Sequence, residues 1–145
     1  MSAQGREAGV TALSHVAIAT PDADALAATL ERALGATRGA EELLDGGALR
    51  VVFLTLGPVT LELLEPRSAD HTVAKFLEKR GPGLHHVSLE VADARTMLAR
   101  CEAAGIELID RAPRAGAHGS EVAFLHPKSL GGVLIELCQG PRKQE

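Results

Sequence analysis

The segment SHVAIATPDADALAATLERALGA (residues 14–36) returns in altered form as HHVSLEVADARTMLARCEAAGI (85–106). His15 aligns with His86 at an offset of 71 (86 − 15). The later stretch RVVFLTLGPVTLELLEP (50–66) meets EVAFLHPKSLGGVLIELCQG (121–140), and Val51 pairs with Val122 at the same offset. Glu62 meets Glu136 at 74 (136 − 62), the difference being absorbed by the loop 127–132. One offset held over two separate stretches marks an internal duplication, which restricts the fold more than any local propensity.

Each half reads strand, helix, then three strands. In the first, residues 14–19 suit a strand, and Thr20 or Asp22 caps a helix opened by Pro21 and ended by Gly35. Leu26, Leu30 and Leu34 recur at helical spacing. In the second, Asp93 is the expected cap and Gly105 the stop, with Met97, Leu98 and Cys101 inward. Strands follow over 37–44, 48–56 and 58–65, with turns at Gly46-Gly47 and Gly57-Pro58, and their counterparts fall over 106–111, 119–125 and 131–138. Between the halves, DHTVAKFLEKRG (70–81) predicts a short amphipathic helix in a linker.

Two βαβββ modules, each with an exposed sheet face, bury those faces by pairing. The expected fold is therefore α+β, a single domain over 12–140 with a curved mixed sheet around a cleft. Its modules span 12–66 and 83–140, joined by a linker helix over 67–82 and flanked by tails at 1–11 and 141–145.

Bulk properties exclude several classes. A chain of 145 residues, 46% hydrophobic and 23% charged, is sized and composed for one globular domain. Its apolar runs are too short to span a membrane, and the N-terminal MSAQGREAGV has no apolar stretch of the kind a leader needs. The expected location is the cytoplasm, where Cys101 and Cys138 stay reduced. A formal charge of −4, with no Trp or Tyr and three Phe, argues against nucleic acid as a partner.

The duplication also separates the adjacent histidines of GLHHVSLEV (83–91). Neighbouring strand residues face opposite ways, and it is His86, not His85, that stands opposite His15. On the strand, His86, Ser88 and Glu90 share one face, while His85, Val87 and Leu89 share the other. Glu62 and Glu136 each sit amid apolar strand residues, where an ionised carboxylate is costly unless paired or metal-bound. His15, Glu62, His86 and Glu136 therefore form a candidate metal set. Imidazole and carboxylate together suit a borderline divalent ion such as zinc, cobalt, nickel or manganese. Cys138 shares the parity of Glu136 but reads as a small apolar filler, and His118 and His126 read as hydrogen-bonders in loops.

The pattern resembles the vicinal-oxygen-chelate superfamily, and within it the methylmalonyl-CoA epimerases. The carriers are SHVAIATPD, VTLELLEP, DHTVAKFLEKRGPGLHHVSLEV, GAHG (116–119) and VAFLHPKSLGGVLIEL (122–137), together spanning about 12–139. The resemblance implies a glyoxalase-like fold, a cleft holding a divalent ion (cobalt first) and a homodimer. It matches His15, His86 and Glu136 to metal ligands and puts Glu62 where relatives place Glu or Gln. The implied reaction interconverts (2R)- and (2S)-methylmalonyl-CoA, an acyl-CoA partner, by C2 proton abstraction through an enolate.

The sequence departs from part of that family at Val51, where some bacterial epimerases carry a glutamate proposed as one base. Glu62 and Glu136 are accordingly the candidate catalytic bases, with Glu41, Glu42 and Glu90 as unplaced alternatives. The candidate substrate loop carries Lys128 and Ser129, and Lys75, Lys79, Arg80, Lys128 and Arg142 are the cations available to coenzyme A phosphates. The same four donors suit a glyoxalase I-type lactoylglutathione lyase. A ring-cleaving dioxygenase and a metal-free binding protein of the superfamily are the remaining alternatives.

Overall fold

The computed structural model describes residues 9–141, and within them the chain divides into two compact units. The first is 15–85; the described part of the second is 9–14 with 86–141. The boundaries cut through strands β1 (Val10–Ala19) and β5 (Gly83–Val91), each just before an aligned histidine.

In the first unit β1 is followed by α1 (Ala23–Leu34), β2 (Thr37–Leu44), β3 (Leu49–Leu56), β4 (Val59–Pro66) and α2 (Thr72–Arg80). The strands lie in the order β2-β3-β4-β1; β2, β3 and β4 are antiparallel neighbours, and β1 runs parallel to β4. Strand alternation gives this sheet two faces. Val52, Leu54, Leu61 and Leu63 join Ala23 and Ala27 of α1 in one core, with Val16 and Ile18 against it. The other face carries Ala17, Ala19, Val51 and Leu64, covered by Val73, Phe76 and Leu77 of α2. The segment expected as a linker is thus an integral layer of the first unit, because Val73 and its neighbours have apolar surface to bury.

The second unit repeats the scheme with β5, α3 (Ala94–Ala103), β6 (Arg114–Ala115), β7 (Glu121–Leu125) and β8 (Ile135–Gln139), ordered β5-β8-β7-β6. Its core packs Ala94, Met97 and Leu98 of α3 against Val91, Ala123, Leu125 and Leu137, with Cys101 partly buried beside them.

The duplication extends to the caps. Asp22 accepts the Ala25 N–H at 3.0 Å, and Asp93 accepts the Thr96 N–H at 3.1 Å. Each contact is worth about 1 kcal/mol to its helix. Glu65 on β4 accepts the first helical N–H of α1, at Ala23, and Gln139 on β8 does the same at Ala94, both at 2.8 Å. Of the two candidate caps, Asp22 takes the role; Pro21 lies outside the helix, and Thr20 instead accepts the Asp22 N–H. Gly35 closes α1 in the left-handed conformation, at φ 71°.

Several boundaries differ from the sequence expectation. β1 begins at Val10, so the expected N-terminal tail gives up its last residues, and Thr11 Oγ1 bonds the Glu90 carbonyl and carboxylate. Of the expected tails, residues 1–8 and 142–145 lie outside the described residues. The strand expected over 106–111 is reduced to a single bridge, Leu108 to Leu125. There the Asp110 carboxylate accepts the Phe124 N–H at 2.8 Å in place of a backbone carbonyl, and Pro113 has no N–H to extend the ladder. β8 starts four residues later than expected because Gly131 and Gly132 turn at positive φ.

Candidate functional site

The parallel pairing of β1 with β4 sets Ala17 beside Glu62. His15, two residues before Ala17, shares that face, and its Nδ1 lies 3.0 Å from Glu62 Oε2. In the second unit the parallel pairing of β5 with β8 sets Ser88 beside Glu136, with His86 two residues earlier. Ser88 Oγ donates to Glu136 Oε1 at 2.7 Å, and His86 Nε2 stands 3.8 Å from the same oxygen. Each unit therefore supplies one imidazole and one carboxylate at repeat-related positions, and each pair is nearly enclosed. His15, His86 and Glu136 are buried, and the Glu62 side chain is 12% exposed.

Both pairs suit metal ligation. Two donors each about 2.1 Å from one ion stand at most about 4.2 Å apart, and both distances fall inside that limit. The 3.8 Å separation in the second unit is too long for a hydrogen bond, whereas the 3.0 Å contact in the first also fits Nδ1–H donating to carboxylate. In that second arrangement Glu62 would orient His15, as carboxylates commonly orient ligand histidines.

Other side chains steady His86. Phe124, paired with Glu136 across β7 and β8, meets the imidazole edge to face at 5.1 Å and 86°. The Arg114 guanidinium lies over that phenyl ring at 5.4 Å and is tied to Asp110 at 3.3 Å. His85 points elsewhere: its ring packs against Phe76 at 4.9 Å, and burial holds its pKa down to about 4. It is a neutral filler at neutral pH, packed on the face away from His86.

The third-strand position aligned with the family's additional glutamate is occupied by Val51, 1% exposed, on the same face as Glu62. Of the alternative carboxylates, Glu41 pairs with Arg50 at 2.6 Å and Glu90 accepts from Thr11. In the loop after β7, His126 Nδ1 accepts the Lys128 N–H at 3.1 Å, as expected of a loop hydrogen-bonder. Lys128 Nζ pairs with Glu107 at 3.1 Å, and Ser129 Oγ accepts the Glu107 N–H at 3.1 Å. Lys75, Lys79 and Arg80 all lie on α2; Arg142 lies outside the described residues. In the GAHG loop His118 and Gly119 both take positive φ, and a Cβ on Gly116 would come within 2.7 Å of Ser120 Oγ and of Val122 Cγ1.

Sequence reasoning placed Ser88 on the right face but gave it no task, and it missed Phe124 and Arg114. Parity alone signals a shared face; only strand register shows that Ser88 and Phe124 flank Glu136.

The family profile described as Glyoxalase/Bleomycin resistance protein/Dioxygenase superfamily matches residues 14–124. The chain belongs to this superfamily. Within it, the chain is 42% identical over 129 residues to the ethylmalonyl-CoA/methylmalonyl-CoA epimerase of Cereibacter sphaeroides, covering 88% of this chain and 96% of the relative. The crystal structure of methylmalonyl-CoA epimerase from Mycobacterium tuberculosis superimposes with a TM-score of 0.86 at 35% identity, over 92% of this chain and 90% of that one. A variant of the Streptomyces coelicolor methylmalonyl-CoA epimerase in complex with 2-nitronate-propionyl-CoA gives 0.87 at 31%, over 94% and 99%. The glyoxalase-type fold that the family resemblance implied is the fold observed. The profile match ends before Glu136, but the C. sphaeroides relative is matched over nearly its whole length.

Proposed function

We propose that this chain is an epimerase of methylmalonyl-CoA, or of a closely similar 2-substituted malonyl-CoA. The observation that carries the reading is a buried imidazole–carboxylate pair in each unit, at repeat-related positions, in a chain alignable almost end to end with methylmalonyl-CoA epimerases. His15, His86 and Glu136, each offering one ligand atom, would hold a divalent ion, with Glu62 as fourth ligand or as the orienting partner of His15. Cobalt is the proposed ion; zinc, nickel and manganese suit the same donors. When bound, such an ion supplies Lewis-acid stabilisation for charge developing on the substrate oxygens.

The chain's own residues carry the protons. The C2–H of the substrate lies between a thioester and a carboxylate, so loss of its proton leaves the electron pair delocalised as an enolate. A carboxylate on one side takes that proton, and an acid on the other side returns one to the opposite face. Glu62 and Glu136 are the proposed pair, because valine at 51 takes no proton. The loop bearing Lys128 and Ser129 is the proposed substrate loop, with its ties to Glu107 holding its shape. The α2 cations Lys75, Lys79 and Arg80 are offered to coenzyme A phosphates. A cytoplasmic homodimer completes the proposal; among the described residues no helix is long and apolar enough to cross a membrane, and neither Cys101 nor Cys138 is in a disulfide.

The test is C2 deuterium uptake in heavy water from each methylmalonyl-CoA epimer separately, using cobalt-loaded protein. Parent protein should exchange both. Glu62→Gln should lose exchange from one epimer by about 100-fold or more. Absence of exchange in the parent would refute the function; full activity of Glu62→Gln with both epimers would remove Glu62 as a base.

A further inference from the structure

We propose that Ser88 is a positioning residue that pins the Glu136 carboxylate. The inference rests on the assignment of Glu136 above as a metal-holding carboxylate, and it deepens that reading with a hydroxyl that the other half lacks at the matching position.

Four observations carry it. Ser88 is completely buried, and an enclosed hydroxyl is unfavourable unless it is hydrogen-bonded. It donates to Glu136 Oε1 at 2.7 Å, the short distance of a charge-assisted bond. The contact is built by register, since the two residues are direct neighbours on parallel β5 and β8, so backbone bonds fix the distance between their Cα atoms. Finally, the repeat supplies an internal control. Ser88 aligns with Ala17 at the offset of 71 (88 − 17), and Ala17 stands beside Glu62 in the same parallel register, equally buried. The fold accepts alanine at this position in one half. The hydroxyl in the other half therefore serves the carboxylate and not the packing.

The consequence lies in which carboxylates are fixed and by what. Glu62 is held by the imidazole of its own pair, at 3.0 Å. His86 stands too far from Glu136 to bond it directly, and Ser88 takes over the task at the same oxygen. With Oε1 tied to β5, rotation of the Glu136 carboxyl group is restricted, so one orientation is presented to ion and substrate. Without the hydroxyl the restraint on Oε1 is lost, and both ion affinity and proton transfer suffer.

The experiment compares parent, Ser88→Ala and Glu136→Gln, the first substitution being the residue the repeat itself places at Ala17. Affinity for Co2+ is read by competition with a chromophoric chelator, without substrate, alongside urea unfolding of the metal-free proteins. Ser88→Ala should weaken Co2+ binding about 10-fold or more, as loss of a bond that orients a ligand does. The metal-free urea midpoint should stay near that of the parent, and kcat should fall while KM for methylmalonyl-CoA holds. Unchanged Co2+ affinity and kcat in Ser88→Ala, in the face of strongly reduced affinity in Glu136→Gln, would overturn the role of Ser88 and leave the metal assignment standing. A Glu136→Gln protein binding Co2+ as tightly as the parent would instead overturn the metal assignment, and the Ser88 proposal with it. Loss of metal-free stability in Ser88→Ala with parental Co2+ affinity would also refute positioning, because it would mark a packing role.

Discussion

Replacing Val51 by glutamate restores the side chain that some bacterial epimerases carry at this place, and the structure predicts that it will not fit as an ion. Val51 is 1% exposed and shares its core with Ala17, Ala19, Leu49, Leu64 and Val73. A carboxylate enclosed by such side chains has its pKa raised, and a rise of about 3 units is typical of the type. At about 1.4 kcal/mol per unit, the ionised form then costs about 4 kcal/mol of folding stability. The sign follows from the raised folded-state pKa: the penalty is near its minimum below the unfolded value of about 4.3, grows with pH, and levels off near pH 7.5. Urea unfolding of parent, Val51→Glu and Val51→Gln at pH 5 and pH 7.5 isolates this term. The glutamine variant removes the same methyl groups without introducing a charge. Val51→Glu should lose about 3 kcal/mol more, relative to parent, at pH 7.5 than at pH 5, and Val51→Gln should show no such difference. A Val51→Glu protein whose penalty is the same at both pH values would refute the reasoning. It would mean that the ion is solvated or paired at this position.

Three further outcomes follow from the packing and charge of single residues. Leu63→Ala, at a fully buried position beneath α1, should lower unfolding stability by about 3 kcal/mol in denaturant titration. Gly116→Ala places a Cβ 2.7 Å from both Ser120 Oγ and Val122 Cγ1, so the GAHG loop must shift. A loss of about 1–3 kcal/mol is expected, with slower C2 exchange if that loop meets substrate. Asp24 is held at a pKa of about 2 by hydrogen bonds from Arg50 and Arg38, so its stabilising contribution is present above pH 4 and lost as pH falls through 2. Asp24→Asn should therefore flatten the acid limb of the stability curve.

The architecture was legible in the sequence because a duplication is a long-range signal. The repeat offset located both aligned histidines, and, once the 127–132 loop is allowed for, both glutamates; local cap signals left Thr20 or Asp22 open in the first half and pointed to Asp93 in the second. Faces were legible for a related reason: strand alternation is local, so His85 and His86 separate on parity alone. Boundaries were less so in the second half, where the Asp110 side chain replaces a backbone carbonyl and Pro113 removes a donor. The partners of Glu136 were illegible. Ser88 and Phe124 come beside it through the registers of two different strand pairs, and register depends on turn geometry and on which face is buried, not on spacing. The role of α2 was hidden too, since an amphipathic segment between two modules reads equally well as a tether or as a cover.

The two halves depart from one another in their frames, where the second reduces one strand to a single bridge, and also around their carboxylates. N-terminal helix capping is retained, down to the strand side chain that meets the first helical N–H, with Glu65 in one half and Gln139 in the other. The surroundings of Glu62 and Glu136 are not retained: one carboxylate leans on its imidazole, the other on a serine where its counterpart has alanine. An epimerisation asks for this division. The two epimers differ only in the hand of C2, and in the proposed assignment each half would offer one carboxylate to one face. The thioester and the coenzyme lie to one side of C2, however, so the two carboxylates cannot be served identically. Divergence at Ala17 and Ser88, beside carboxylates set by the same parallel register, is what the proposed reading expects of a symmetric origin that must hold an asymmetric ligand.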